Sequence, residues 1–231
     1  MRAGVPSGTS LSVSFARGLG VDRQPIDPLA FELLPPGLAQ LAAAPLQLGA
    51  VAGLYRAVVR ATTFGLIDHI VLRTQAIDAQ LVSALESGMD QLVILGAGLD
   101  ARAWRLEALK GVTVFEVDHP ATQRYKRKRM LRKRPPTDIR YVSVDFEKER
   151  FDDALEAAGF RSCAPSVWIW EGVAMYLPLP AVYGMLEQLT SLSAPGSELA
   201  MTYRVPGRLP SGALGRAAIP AVCAAAGEPL K

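Results

Sequence analysis

The period of the apolar positions changes near residue 90. Before it, Val51, Leu54, Val58, Val59, Phe64, Ile67, Ile70 and Val71 recur at helical spacing, which predicts one long helix or two shorter ones meeting near Gly65. Arg73-Thr74-Gln75-Ala76-Ile77-Asp78 opens a further helix ending at Ser87-Gly88, where the glycine suits the position just past a helix end. After it come short apolar runs without polar alternation. Leu92-Val93-Ile94-Leu95 leads directly into Gly96-Ala97-Gly98, the pattern of a strand buried on both faces of a parallel sheet. Glycines at that point let the backbone turn tightly and approach a ligand with no Cβ in the way. A helix starting at Leu99 would then aim its first amides at that ligand.

The alternation continues. Helix 99–109, strand 112–118, helix 120–134, strand 139–145, helix 148–158, strand 166–171, helix 178–194 and strand 198–203 follow in turn. Such alternation predicts an α/β fold, a mostly parallel sheet with helices on both faces. Upstream, Gly- and Ser-rich residues 1–24 read as poorly ordered. Pro25-Ile26-Asp27-Pro28-Leu29-Ala30 is a rigid extended entry, and the Leu/Ala-rich, proline-broken stretch from Pro28 to Pro45 reads as short helices of a cap. Past residue 205 a short helix around 213–226 is expected and no further strand. The chain thus divides into a tail and helical cap (1–88), a cofactor-binding core (89–205) and a C-terminal segment (206–231).

Composition removes several alternatives. The 231 residues suit one large domain, and no run of apolar residues is long enough to cross a membrane. Cys163 and Cys223 have no spaced partners, which argues against disulfides and a zinc site and for a reducing, cytoplasmic setting; His69 and His119 are too few for a histidine-built metal centre. The net charge of +3 is local: residues 124–134 hold eight basic residues and no acid, leaving −5 for the rest. That run reads as a solvated helix face; without an aromatic platform beyond Tyr125, nucleic acid is not an expected partner, nor is a membrane.

In an open parallel sheet, ligands bind outside the carboxyl ends of the strands. Those ends carry Gly96, Gly98 and Asp100, then Glu116 and Asp118, then Asp145 and Phe146, then Glu171. Asp118 is placed for a ribose diol; Asp145 and Phe146 are placed for the amine and face of an adenine. Singly, each acid could equally cap the next helix; four together favour a ligand. Gly96-x-Gly98-x-x-Ala101 also fits a dinucleotide fingerprint, which makes a nicotinamide-dependent oxidoreductase the rival. Asp100 in the loop would repel a pyrophosphate but tolerate a cationic or zwitterionic cofactor. S-adenosylmethionine is such a cofactor: Glu171 is a candidate for its ammonium and Arg73 for its carboxylate.

Arg73-Thr74-x-x-Ile77-Asp78, Gly96-Ala97-Gly98-Leu99-Asp100-Ala101-Arg102, Glu116-Val117-Asp118, Val144-Asp145-Phe146 and Glu171-Gly172-x-x-x-Tyr176-Leu177 occur in this order. With the Asp27-Pro28-Leu29-Ala30 entry, they resemble the leucine carboxyl methyltransferase family over about residues 25–205. The resemblance implies a Rossmann-like methyltransferase fold with an N-terminal helical cap, S-adenosylmethionine as cofactor, and cofactor roles for Arg73, Gly98, Asp118, Asp145, Phe146 and Glu171. It also implies two final antiparallel strands that have no counterpart before the chain stops.

Methyl transfer needs nucleophile and methyl group held collinear. A carboxylate acceptor needs no base, a hydroxyl does. The expected activity is therefore O-methyl transfer to a carboxylate or hydroxyl, on a small molecule or a carboxylate-bearing acceptor. No catalytic residue is assigned; Tyr176 and His119 are candidates, each with an ordinary packing or capping role as its alternative. The other function class is a shortened, non-catalytic module that binds cofactor or forms homo-oligomers.

Overall fold

The computed structural model describes residues 7–20, 26–146 and 148–205. Among these residues, five strands form one parallel sheet: β1 (Gln91–Leu95), β2 (Thr113–Asp118), β3 (Asp138–Ser143), β4 (Val167–Trp170) and β5 (Glu198–Met201), in the order β3-β2-β1-β4-β5. The chain runs outward from β1 to β3 and then crosses back to place β4 on the other side of β1. That reversal makes the crevice between β1 and β4 the expected ligand position.

The apolar runs are explained by burial on both faces. All five residues of β1 are buried. Val93, Leu95, Phe115, Val117, Val142, Trp168 and Trp170 face a core closed by α8 (Asp152–Ala157) and α9 (Leu179–Leu192). Leu92, Ile94, Val114, Val167 and Ile169 face Ile77, Leu81 and Ala84 of α5 (Leu66–Glu86). A sheet between two helical layers therefore carries two apolar cores, and its strands read as continuous rather than alternating.

Several boundaries differ from the sequence-based expectation. The N-terminal stretch expected to be poorly ordered contains a twelve-residue helix, α1 (Gly8–Leu19). Ser7 caps it by accepting from the Ser10 amide at 3.0 Å, and Ala16 and Leu19 pack on Ile67, Ile70 and Val71 of α5. Small residues hide its amphipathic pattern, and its stability comes from that docking. The cap is built as expected from short pieces, α2 (Ala30–Leu33), α3 (Pro36–Ala43) and a 3₁₀ turn at Ala44–Gln47. Of the two readings for residues 50–72, two helices are found: α4 (Gly49–Thr62) and α5, bent by 97° across the break. Gly65, in left-handed backbone (φ 81°), makes the turn. No helix opens at Arg73. It lies within α5, because nothing between Gly65 and Gly88 interrupts the ladder. Val51, Leu54 and Val58, spaced as for a core, stand exposed on α4, Leu54 by 67%.

The helix expected over 99–109 shrinks to one turn, α6 (Arg102–Arg105), and a 3₁₀ turn at Glu107–Leu109. Asp100 causes this: its carboxylate accepts the Arg102 amide at 2.8 Å, so residues 96–101 remain loop. Side-chain capture of a nearby amide competes with helix formation in this way. Helix α7 spans Pro120–Met130. The helix expected at 213–226, the C-terminal segment and Cys223 lie outside the described residues. Among the described residues, no single helix is long and apolar enough to cross a membrane, and no group of acids, histidines or cysteines is suited to a metal.

Candidate functional site

The carboxyl ends of β1 to β4 and the inner face of α1 enclose a cavity of about 610 Å³. Its wall contains every residue singled out as cofactor-binding: Arg73, Gly96, Gly98, Asp118, Asp145, Phe146 and Glu171, with Asp100, His119 and Tyr176. The fold brings them together because four parallel strands deliver their last residues to one edge.

The glycine loop continues the ladder of β1. The Gly96 and Ala97 amides donate to the Val117 carbonyl at 2.8 and 3.3 Å. Gly96 has φ 67°, and a Cβ there would lie 2.3 Å from Val173 Cγ2, so this glycine serves protein packing. Gly98, at φ 50°, faces the cavity, where a Cβ would meet Ser10 Cβ at 3.5 Å and the Gly96 carbonyl oxygen at 3.7 Å, both ordinary contacts. The loop is pinned from β2: the Gly98 amide donates to Asp118 Oδ2, and the His119 amide donates to Oδ1 at 2.5 Å. Burial pushes the Asp118 carboxyl above its ordinary range against these two amides. Both carboxylate oxygens keep lone pairs for further donors.

After β3, Asp145 is ion-paired with Lys148 at 2.8 Å, and the Phe146 ring packs edge-on against Phe151 with centroids 6.4 Å apart. His119 takes an ordinary role. It is the N-cap of α7, its Nδ1 accepting from the Ala121 amide at 3.2 Å. Tyr176 sits in a one-turn 3₁₀ helix (Ala174–Tyr176) on the cavity wall.

Glu171, at the end of β4, is held by three arginines. Its Oε1 accepts from Arg17 Nη2 and Arg73 Nε, each at 2.9 Å, and its Oε2 lies 2.8 Å from Arg102 Nη2. Burial alone would raise the Glu171 carboxyl; the Arg17, Arg102 and Arg73 guanidiniums outweigh it and hold it well below the usual carboxylate range. Asp100 is treated likewise: burial opposes, but Arg102 and Arg17 prevail. Its charge is thus balanced within the protein, and repulsion of a pyrophosphate by Asp100 loses its force. Among the described residues, the cations of the wall, Arg17, Arg73 and Lys148, are each paired with a carboxylate, so the wall presents balanced charges rather than a cluster of unpaired cations.

Sequence reasoning missed Arg17. It lies on α1 within residues read as poorly ordered, and it reaches Glu171, Asp100 (3.7 Å) and the Thr74 hydroxyl (3.1 Å). The 3-residue spacing of Ala16 and Leu19 was its only local signal. Arg102 closes the Gly96–Arg102 motif, whose pattern alone gives it no role. Most of the basic run is the solvated face expected, with Arg124, Arg127, Lys128, Arg132, Lys133 and Arg134 exposed, but not all of it. Lys126 is buried, 2.8 Å from Glu116 Oε2 and 5.0 Å from the Trp104 ring centre. Arg129 donates to the Glu32 carbonyl and Lys133 pairs with the Glu32 carboxylate, tying α7 to the cap.

The sequence and the fold are paralleled in known proteins. A relative from Mycolicibacterium paratuberculosis, bearing the provisional name S-adenosyl-L-methionine-dependent methyltransferase, is 44% identical over 138 residues, 59% of this chain and 45% of its own. A provisional namesake from Mycolicibacterium gilvum is 42% identical over 144 residues, 62% of this chain and 46% of its own. The chain therefore spans about half the length of the relatives it matches. Two solved structures share the fold. One is a DUF574-family protein of Streptomyces avermitilis (TM-score 0.63, 14% identity, covering 98% of this chain and 78% of that one). The other is a provisionally named methyltransferase of Thermobifida fusca (TM-score 0.51, 21% identity, covering 75% and 65%). The family model for leucine carboxyl methyltransferase matches residues 22–190. On that match, the chain belongs to the leucine carboxyl methyltransferase family.

Proposed function

We propose that this chain binds S-adenosylmethionine in the cavity at the strand ends and transfers its methyl group to a carboxylate or hydroxyl acceptor. The observation that carries the reading is the convergence of Arg73, Gly98, Asp118, Asp145, Phe146 and Glu171 on one cavity wall. The residues fit the cofactor's three parts. Asp118 keeps acceptor capacity for a ribose diol while holding the loop. Asp145 and Phe146 lie one strand further out, where an adenine attached to that ribose reaches. Glu171, its Oε2 met by Arg102 at 2.8 Å and its Oε1 by Arg17 and Arg73, shares the cavity wall with those last two arginines, a set of paired charges for the zwitterionic amino acid end.

The bound cofactor supplies an electrophilic methyl on a sulfonium. The chain's own part is positional. The loop at Gly98 admits close approach, Glu171 and its arginines fix the amino acid end, and Val173, Tyr176, Leu177 and Val13 provide apolar wall that excludes water. Placement of this kind accounts for much of a displacement's rate. His119 caps α7 through Nδ1. A carboxylate acceptor, already ionised at pH 7, would need no base; a hydroxyl would.

Titration calorimetry with S-adenosylmethionine tests the reading. Micromolar binding is expected. Asp118→Asn, which turns one acceptor into a donor, should weaken it about 10–100-fold through loss of charge-assisted bonds worth about 1.5–3 kcal/mol. Absence of binding, or unchanged affinity in the variant, overturns it. Methyl transfer from labelled cofactor to pooled carboxylates and phenols then separates an enzyme from a module that binds without turnover.

A further inference from the structure

Arg102 is absent from the cavity wall but contacts carboxylates from three separate elements. The side chain has no solvent exposure. Its Nε donates to Asp78 Oδ1 on α5 at 2.6 Å, Nη1 pairs with Asp100 Oδ2 in the glycine loop, and Nη2 lies 2.8 Å from Glu171 Oε2 at the end of β4. Arg105 extends the chain of contacts, to Asp78 at 2.6 Å and Asp27 at 3.8 Å. With Arg17 and Arg73 on Glu171, the network holds, among the described residues, four arginines and four carboxylates, and their formal charges sum to zero.

We propose that Arg102 is the positioning residue for the amino acid end of the cofactor, a subsite for a zwitterionic α-amino acid group; this rests on the S-adenosylmethionine reading above. The guanidinium is a rigid planar fork. By taking Glu171 Oε2, it leaves Oε1 to Arg17 and Arg73, and it ties Asp100, in the loop after β1, to Glu171 at the end of β4. The two arginines that face the cavity are thus aligned by a third that does not. A balanced network also suits its ligand, because a zwitterion enters without changing the net charge. Without Arg102 the network carries −1, Glu171 is free to rotate, and the ligand's carboxylate meets net repulsion.

The test compares two ligands sharing adenosine and a thioether sulfur. S-adenosylhomocysteine carries the amino acid end; 5′-methylthioadenosine lacks it. Arg102→Lys keeps the charge but loses the fork. It should weaken S-adenosylhomocysteine about 30-fold, the lower end for disturbing a buried charge pair, and change 5′-methylthioadenosine less than about 3-fold. Asp78→Asn, which loosens the fork from α5 without touching the cavity, should give a smaller loss with the same selectivity; it decides the matter if Arg102→Lys does not fold. Equal losses for both ligands indicate a merely structural role and overturn the proposal, as does full retention of both. Wild-type protein that binds neither ligand overturns the cofactor reading itself, a failure visible before any variant is made.

Discussion

Replacing Arg17 by Met tests whether the N-terminal helix belongs to the site. The methionine fills most of the space but removes three polar contacts: to Glu171 at 2.9 Å, to Asp100 at 3.7 Å and to the Thr74 hydroxyl at 3.1 Å. Removing one partner of a buried ion pair costs about 3–5 kcal/mol. Glu171 still keeps Arg73 and Arg102, so the lower figure applies, about 3 kcal/mol. For a chain of this size each kcal/mol moves Tm by about 2–4 °C, giving a fall of roughly 6–12 °C at pH 7. The pH dependence has a definite sign. The arginines depress the Glu171 carboxyl below its ordinary value of 4.5 despite burial. A depressed folded-state value contributes stability that is complete above the unfolded value and is lost as pH falls toward the folded one. The gap between wild type and Arg17→Met should therefore be full at pH 7 and narrow below about pH 4.5. Urea unfolding followed by far-UV circular dichroism at several pH values measures it. Equal stability at pH 7, or a gap that does not narrow in acid, refutes the placement of Arg17 in this network.

Other positions give independent checks. Gly96→Ala should cost about 1–3 kcal/mol, because its Cβ would lie 2.3 Å from Val173 Cγ2 in left-handed backbone; adding Val173→Ala should restore part of that in thermal melts, and no restoration counts against the packing account. Gly98→Val, whose Cβ would make ordinary contacts with Ser10 and the Gly96 carbonyl but sits in left-handed backbone, should weaken S-adenosylhomocysteine binding by calorimetry and also lower Tm through backbone strain. Retained affinity would put the cofactor elsewhere. Burial pushes the Glu116 carboxyl up to about 7 in spite of Lys126. A raised folded-state value means the native protein holds a proton the unfolded chain has released, so its contribution declines as pH rises from about 4.5 to 7. Glu116→Gln should flatten that decline, on the order of 3 kcal/mol at a pKa change of this size; an unchanged pH profile of Tm would show that Glu116 stays ionised beside Lys126.

The sequence by itself determined the layering and the location of the site. Strands buried on both faces leave runs such as Leu92–Leu95 and Val167–Trp170, and chain order places Gly98, Asp118, Asp145 and Glu171 at corresponding strand ends without knowledge of the strand order. Parallel strands then bring those ends together of necessity. Tertiary structure decided which charges meet. Arg17 is 154 residues from Glu171 and Asp78 is 24 from Arg102; no periodicity records such pairings. The same holds for Lys126, read as one of many solvated cations and found buried on Glu116, ten residues away in sequence and one strand inward. Hydrophobic period is a local property, set by how one element presents its faces. The partner of a buried charge is a property of the whole packing, since each carboxylate taken from water needs a cation at contact distance wherever in the chain that cation lies.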